Sequence, residues 1–161
     1  MDRSALWQTA VGVTGDASRP ADVYASTAMD LTRLAFLLVG DWSEAEDIVQ
    51  IVFAEALPRW ASLESPTAYL KRAVVNRSAD SHRRRLRRRF YDAPKRLEPA
   101  PELDELWSLV QALPARSRVV IVLRYYEDAP TSAIAAVLGR PESTIRSDLR
   151  RALILLRKDY K

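Results

Sequence analysis

Apolar residues in this chain recur three and four positions apart almost throughout, and the strict alternation of a half-buried strand is nearly absent. In "AEDIVQIVFAEAL" (45–57), Ala45, Ile48, Val49, Val52, Phe53 and Ala56 form one stripe of an amphipathic helix, which Pro58 should stop. Upstream, "AMDLTRLAFLLVGD" reads as another helix, with Gly40 as its C-cap. Downstream, Ser65 and Pro66 supply an N-cap and a first helical residue. The helix they open continues through "TAYLKRAVVNRSADSHRRR", with Tyr69, Leu70, Ala73 and Val74 turned inward. The expected fold class is all-α.

The pattern breaks at "FYDAPKRLEPAPE" (90–102), where three prolines and no apolar period mark a linker. Fully extended, such a segment spans about 40 Å. Beyond it, "LDELWSLVQAL" and "ARSRVVIVLRYYED" are two helices divided by Pro114. "TSAIAAVLG" and "PESTIRSDLRRALILLRK" are two more, divided by Gly139, Arg140 and Pro141. The expected organisation is two small helical domains, 23–89 and 103–161, joined by the linker 90–102 and preceded by a poorly ordered extension, 1–22.

A hydrophobic content of 48% in 161 residues supports packed cores and argues against wholesale disorder. The absence of cysteine excludes disulfides, thiolate metal sites and a thiol nucleophile. The longest apolar run, "LAFLLVG" (34–40), is far shorter than the roughly 18 residues of a spanning helix. "MDRSALWQ" lacks the basic start and apolar core of a signal peptide, so the expectation is a soluble cytoplasmic protein that engages no membrane. The net charge of +4 conceals a polarity: ten acidic and four basic side chains in 1–70, then nine basic and one acidic in 71–89. An acidic module followed by a basic helix suggests two partners on two surfaces.

The last two helices have helix-turn-helix spacing, with small Ala135 and Ala136 inward, a glycine turn, and a longer helix from Pro141 able to lie in a major groove. Ile145, Leu149 and Ala152 point inward on that helix. Ser143, Thr144, Arg146, Ser147, Asp148, Arg150 and Arg151 are left outward, suited to phosphates and base edges. The same spacing also fits two antiparallel packing helices with a solvated face. On the helix from Pro66, Lys71, Arg72, Asn76, Arg77, Asp80 and Arg83 lie off the apolar stripe. Lys and Arg there attract phosphate, while Asn and Asp pair with base edges. Trp60 and Tyr69 flank the preceding loop, either to stack on unpaired bases or to fill the core. For Arg83–Arg89 a charged linker is the plainer reading.

The outer face of helix 45–57 carries Glu46, Asp47 and Gln50, with Ile51 beside them. An exposed isoleucine on an acidic face marks a protein-binding patch or is simply a lone surface apolar residue. Enzymatic readings are weak: Asp41, Glu44, Glu46 and Asp47 cluster without a histidine, cysteine or glycine-rich loop. His82 stands in an arginine-rich run that suits neither a buried base nor a metal ligand. No catalytic residue and no cofactor is expected; a carboxylate-only divalent-metal site near 41–47 is the remaining enzymatic alternative.

Three stretches together resemble the extracytoplasmic-function (group 4) sigma factors of bacterial RNA polymerase, most nearly their sigma-E-like branch. "GDWSEAEDIVQ" is similar to the end of region 2.1 and the region 2.2 motif, and "SPTAYLKRAVVNRSADSHRRR" to regions 2.3 and 2.4. "ALPARSRVVIVLRYYEDAPTSAIAAVLGRPESTIRSDLRRALILLRK" resembles region 4 nearly end to end. The resemblance implies that Glu46, Asp47, Gln50 and Ile51 meet the β′ clamp helices of core polymerase. It implies that Trp60, Lys71, Arg72, Asn76, Arg77, Asp80 and Arg83 serve the unwound −10 strand, and that the helix from Pro141 reads the −35 duplex while region 4 docks on the β flap. An anti-sigma factor is a further candidate partner.

The chain departs from the family at several positions. Ile51 stands where a polar or acidic residue is usual, Pro58 interrupts a helix often continued to the tryptophan, and Pro130 and Pro141 replace small polar residues near helix starts. Asp148 replaces a residue that is commonly basic, from which an altered −35 preference is expected. The alternative from another class is a stand-alone helix-turn-helix regulator that binds duplex DNA without polymerase.

Overall fold

The computed structural model describes residues 19–88 and 105–159. Every regular element among them is helical. The chain forms two compact units, which divide inside one helix between Ser78 and Ala79. The expected extension, apart from Arg19–Asp22, and the expected linker at 90–102 lie outside the described residues.

The first unit contains α1 (Pro20–Val39), α2 (Trp42–Ala56), a short 3-10 helix (Leu57–Ser62) and the start of α3 (Pro66–Arg88). Helix α1 begins eight residues before the expected "AMDLTRL" start, because Pro20 occupies its first turn, where a missing N–H costs nothing. The early turns contribute to packing: Val23 is buried, and the Tyr24 ring meets Phe53 edge-on at 4.8 Å. From Leu34 to Val39 every residue of α1 is buried, so this end is covered on all sides. Gly40 then ends the helix as expected, at φ 79°, with its N–H donating to Phe36 O at 2.7 Å.

All six stripe residues of α2, from Ala45 to Ala56, are buried. Truncating one of the large ones, such as Phe53 to Ala, costs about 3–5 kcal/mol in a core of this kind. Asp41 caps the helix by accepting from the Glu44 N–H at 2.8 Å, the kind of start that Asp-x-x-Glu spacing encodes. Pro58 ends the α-helical ladder as expected, but no loop follows directly. The chain tightens into the 3-10 helix, which carries Trp60.

The second unit contains α4 (Glu105–Ala112), α5 (Ala115–Ile121) prolonged by a π turn (Val122–Tyr126), α6 (Thr131–Leu138) and α7 (Glu142–Asp159). Leu113, Ile121 and Ala152 centre one apolar cluster, with Val110, Leu149, Leu153, Leu155 and Leu156 packed on it. Arg118 is buried and ties the end of α4 to α5, donating from Nη2 to Gln111 O at 2.7 Å and Leu113 O at 3.2 Å. Such charge-assisted bonds contribute about 1.5–3 kcal/mol when buried. The π turn closes with the Glu127 N–H on Val122 O at 3.1 Å, and Asp128 follows at φ 53°, a conformation aspartate tolerates.

Candidate nucleic-acid interface

Helix α2 presents the acidic face expected of it. Glu46, Asp47, Gln50 and Ile51 are all exposed, and their spacing places them opposite the buried stripe. The face is braced at its start: Trp42 donates from Nε1 to Glu46 Oε1 at 3.0 Å, and its ring packs on Phe36 at 5.4 Å. Ile51 is 40% exposed, an apolar side chain in water beside two polar ones. The sequence signal for this brace is the i, i+4 spacing of Trp42 and Glu46.

Trp60 is half-buried rather than open for stacking. Its ring lies nearly parallel to Phe53, with centroids 6.4 Å apart and planes at 20°, so one side of it is already occupied. Beside it the Arg59 guanidinium sits over the Tyr69 ring at 5.9 Å.

On α3 the expected DNA-facing residues separate into groups. Arg72 and Asn76, one turn apart, are exposed, as is Asp80 one turn further on. Arg77 is partly covered and directs Nη1 at Glu55 of α2, 3.0 Å from Oε1 and 3.1 Å from Oε2. Lys71 is a correction. Expected off the apolar stripe, it is buried at 7% exposure, because positions 70, 71, 74, 75 and 78 all face the core. The Arg83 side chain lies outside the described residues.

The second unit holds the expected helix-turn-helix. Gly139 ends α6 at φ 61° and ψ 38° with its N–H on Ala135 O, and Arg140 N donates to the same carbonyl at 3.0 Å. A Cβ built on Gly139 would meet nothing within 4 Å, so the glycine serves backbone conformation and not close packing. Pro141 O then accepts from Thr144 N at 3.0 Å and Ile145 N at 3.2 Å, which starts α7. The inward residue of α6 is Ile134, whereas Ala135 is half-buried and Ala136 exposed, against the expected roles of the two alanines.

On α7, Ile145 and Ala152 are fully buried and Leu149 partly so. Ser143, Arg146, Ser147, Arg150 and Arg151 are exposed, and Thr144 is half-buried. Two of these are already oriented: Arg146 Nη2 donates to Glu142 Oε1 at 2.6 Å, and Ser147 Oγ donates to Ser143 O at 3.0 Å. Asp148 is the second correction. It does not face outward; it is 6% exposed, and its Oδ2 pairs with Arg116 Nε at 3.2 Å and Arg140 Nη1 at 3.4 Å. Its spacing to Ile145 and Ala152 places it on the inward stripe.

Among the described residues, no group of three or more His, Asp or Glu side chains is placed to hold a metal ion. None of the described helices is long and apolar enough to cross a membrane.

Comparison with known proteins finds a family match over each of two stretches of the chain. Residues 23–89 match the sigma-70 region 2 family, and residues 103–156 match sigma-70, region 4. The chain is 31% identical over 150 residues to the RNA polymerase sigma-E factor of Streptomyces coelicolor, covering 84% of this chain and 83% of that one. It is 29% identical over 137 residues to the RNA polymerase sigma factor SigV of Bacillus subtilis, covering 80% and 82%. Its fold is similar to that of the sigma factor RpoE crystallised with the anti-sigma factor NepR from Bartonella quintana. That likeness has a TM-score of 0.69 at 23% identity, over 86% of this chain and 94% of that one.

Proposed function

The chain belongs to the sigma-70 family as an extracytoplasmic-function RNA polymerase sigma factor of sigma-E-like type, and on that premise we propose how its residues divide the work. Sigma factors are polymerase subunits and DNA-binding regulators. This one acts with no catalysis or cofactor of its own, in the cytoplasm where core polymerase is found. The domains run over 23–89 and 103–161, with 90–102 between them as the tether.

Glu46, Asp47, Gln50 and Ile51 dock on the β′ clamp helices, with the three polar groups steering the approach and Ile51 losing its water on contact. This face carries the reading, because it stands in water opposite a stripe that already satisfies the helix's packing. A stand-alone helix-turn-helix regulator has no need of such a face, and the family matches extend well beyond the helix-turn-helix.

The segment around Trp60 and the exposed side of α3 hold the melted non-template strand of the −10 element. Arg72 and Arg77 attract phosphates, while Asn76 and Asp80 face bases; Arg83 extends the basic track. Extruding a base from the stack costs a few kcal/mol, which capture in a pocket and phosphate contacts offset. Trp60 contributes as one wall of that pocket, fixed by Phe53 behind it. Lys71 acts from inside, through packing.

Helix α7 reads the −35 duplex with Ser143, Thr144, Arg146, Ser147, Arg150 and Arg151, while region 4 rests on the β flap. An anti-sigma factor is a further partner class. Binding to purified core polymerase tests the reading as a whole: the chain should co-purify with it and depend on the α2 face to do so.

A further inference from the structure

Arg59 lies on the 3-10 helix next to Trp60, and it is exposed. Its guanidinium sits over the Tyr69 ring, 5.9 Å from the centroid. Among the described residues no carboxylate pairs with it, in contrast to Arg77, which Glu55 holds. The backbone beneath it is fixed: Ser62 Oγ donates to Arg59 O at 2.7 Å, and the Leu63 N–H donates to Trp60 O at 3.1 Å. Tyr69 stands in the first turn of α3, one turn before Arg72 and two before Asn76, on the same side of the helix. Helical side chains lean toward the N-terminus, so the half-buried Tyr69 ring meets Arg59 at the head of that exposed row.

We propose that Arg59 is a further contact for the unwound −10 strand: it grips one backbone phosphate beside the base held against Trp60. The inference rests on the reading of Trp60 and the exposed side of α3 as the −10 site. A ring face supplies no oxygen or nitrogen acceptor, so the planar donor fork of Arg59 keeps its match to phosphate. Phosphate is the favoured acceptor because a charge on each partner makes the stronger hydrogen bond, whereas a base edge offers only a neutral one. Contact with Tyr69 narrows the rotamers of a long side chain before the strand arrives, which lowers the ordering cost of binding.

The test uses holoenzyme assembled from core polymerase and the full chain. A pool of promoter-length duplexes randomised across the −35 and −10 segments supplies selected sequences, which are then presented with the −10 segment either paired or held open as a bubble. Arg59→Gln should weaken binding to the open probes about three- to tenfold at low salt, equally across the selected −10 sequences. It should reduce the slope of log affinity against log salt by about 0.7, the share of one phosphate on a single strand. Arg59→Lys keeps the charge and should retain most of that slope. Tyr69→Leu should weaken open-probe binding about two- to threefold and add nothing in the Arg59→Gln background. An unchanged salt slope in Arg59→Gln overturns the inference in favour of a surface contact that only packs on Tyr69. Relaxed preference at one base in that variant overturns it in favour of base readout, and an equal loss of affinity for core polymerase overturns it in favour of a polymerase contact. Because Arg59 is exposed, these arms decide even if Tyr69→Leu does not fold. Failure of the wild-type holoenzyme to prefer open over paired probes overturns the underlying reading instead, before any variant is compared.

Discussion

Arg77 on α3 directs a single guanidinium nitrogen at both carboxylate oxygens of Glu55 on α2, at 3.0 and 3.1 Å. One of the arginines expected from the sequence to attract DNA is thus already paired within its own unit. The pair is 31% and 55% exposed, so its contribution to stability is about 0.2–1 kcal/mol. On the proposed −10 role of Arg77, a phosphate would compete with Glu55 for its guanidinium.

Glu55→Gln should therefore leave the unfolding temperature nearly unchanged and tighten holoenzyme binding to a pre-melted −10 bubble. The gain should be about two- to fivefold at low salt, on the scale of an exposed ion pair, and should vanish in high salt as screening removes the competition. Binding titrations at two ionic strengths check this. Weaker binding would mean that Glu55 presents Arg77 rather than restrains it.

Asp148→Arg should destabilise the second unit, because it buries a third positive charge beside Arg116 and Arg140. Breaking a buried pair costs about 3–5 kcal/mol, and the solvent exposure of Arg116 lowers that to about 2–3. In a unit of this size the unfolding temperature should fall by roughly 10–20 °C, measurable by calorimetry. This replaces the expectation from sequence, in which Asp148 faces outward and alters the −35 preference.

Gly139→Ala should cost about 1–2 kcal/mol, purely from holding a Cβ-bearing residue at φ 61°, since no atom lies within reach of the new methyl group. Gly139→Asn should cost less, because asparagine enters the left-handed region more readily. Thermal unfolding of the two variants checks the order Gly, Asn, Ala.

Asp47→Arg combined with Gln50→Ala should weaken binding to core polymerase at least tenfold while leaving stability within about 0.5 kcal/mol, because both positions are exposed. Ile51→Ala should weaken the same complex by about 1–2 kcal/mol, the value of apolar surface desolvated on contact. Fluorescence anisotropy against purified core measures both.

The helical stripes, the glycine caps at Gly40 and Gly139 and the acidic face of α2 were legible because each follows from local spacing or from a single φ requirement. Lys71 and Asp148 lie inward against expectation for one reason. Residue type suggests an outward position for a charged side chain, although both fall on inward positions by spacing, next to Val74 and Val75 in one case and to Ile145 and Ala152 in the other. For Asp148, the partners that make burial tolerable lie 32 and 8 positions away in sequence, at Arg116 and Arg140, and no local pattern reveals them. The π turn at Val122–Tyr126 and the Trp60–Phe53 stack are likewise products of tertiary packing. Asp41 as N-cap and Trp42 as the brace of Glu46 were readable but overshadowed by the reading of the acidic residues as a cluster.

The most direct test is run-off transcription with purified core polymerase and the randomised promoter pool, with and without the chain. Transcripts should appear only with the chain, start at a fixed distance from a selected −35/−10 pair, and disappear in the Asp47→Arg/Gln50→Ala variant. Duplex DNA bound by the chain alone, with no chain-dependent transcript from any template, would contradict this expectation.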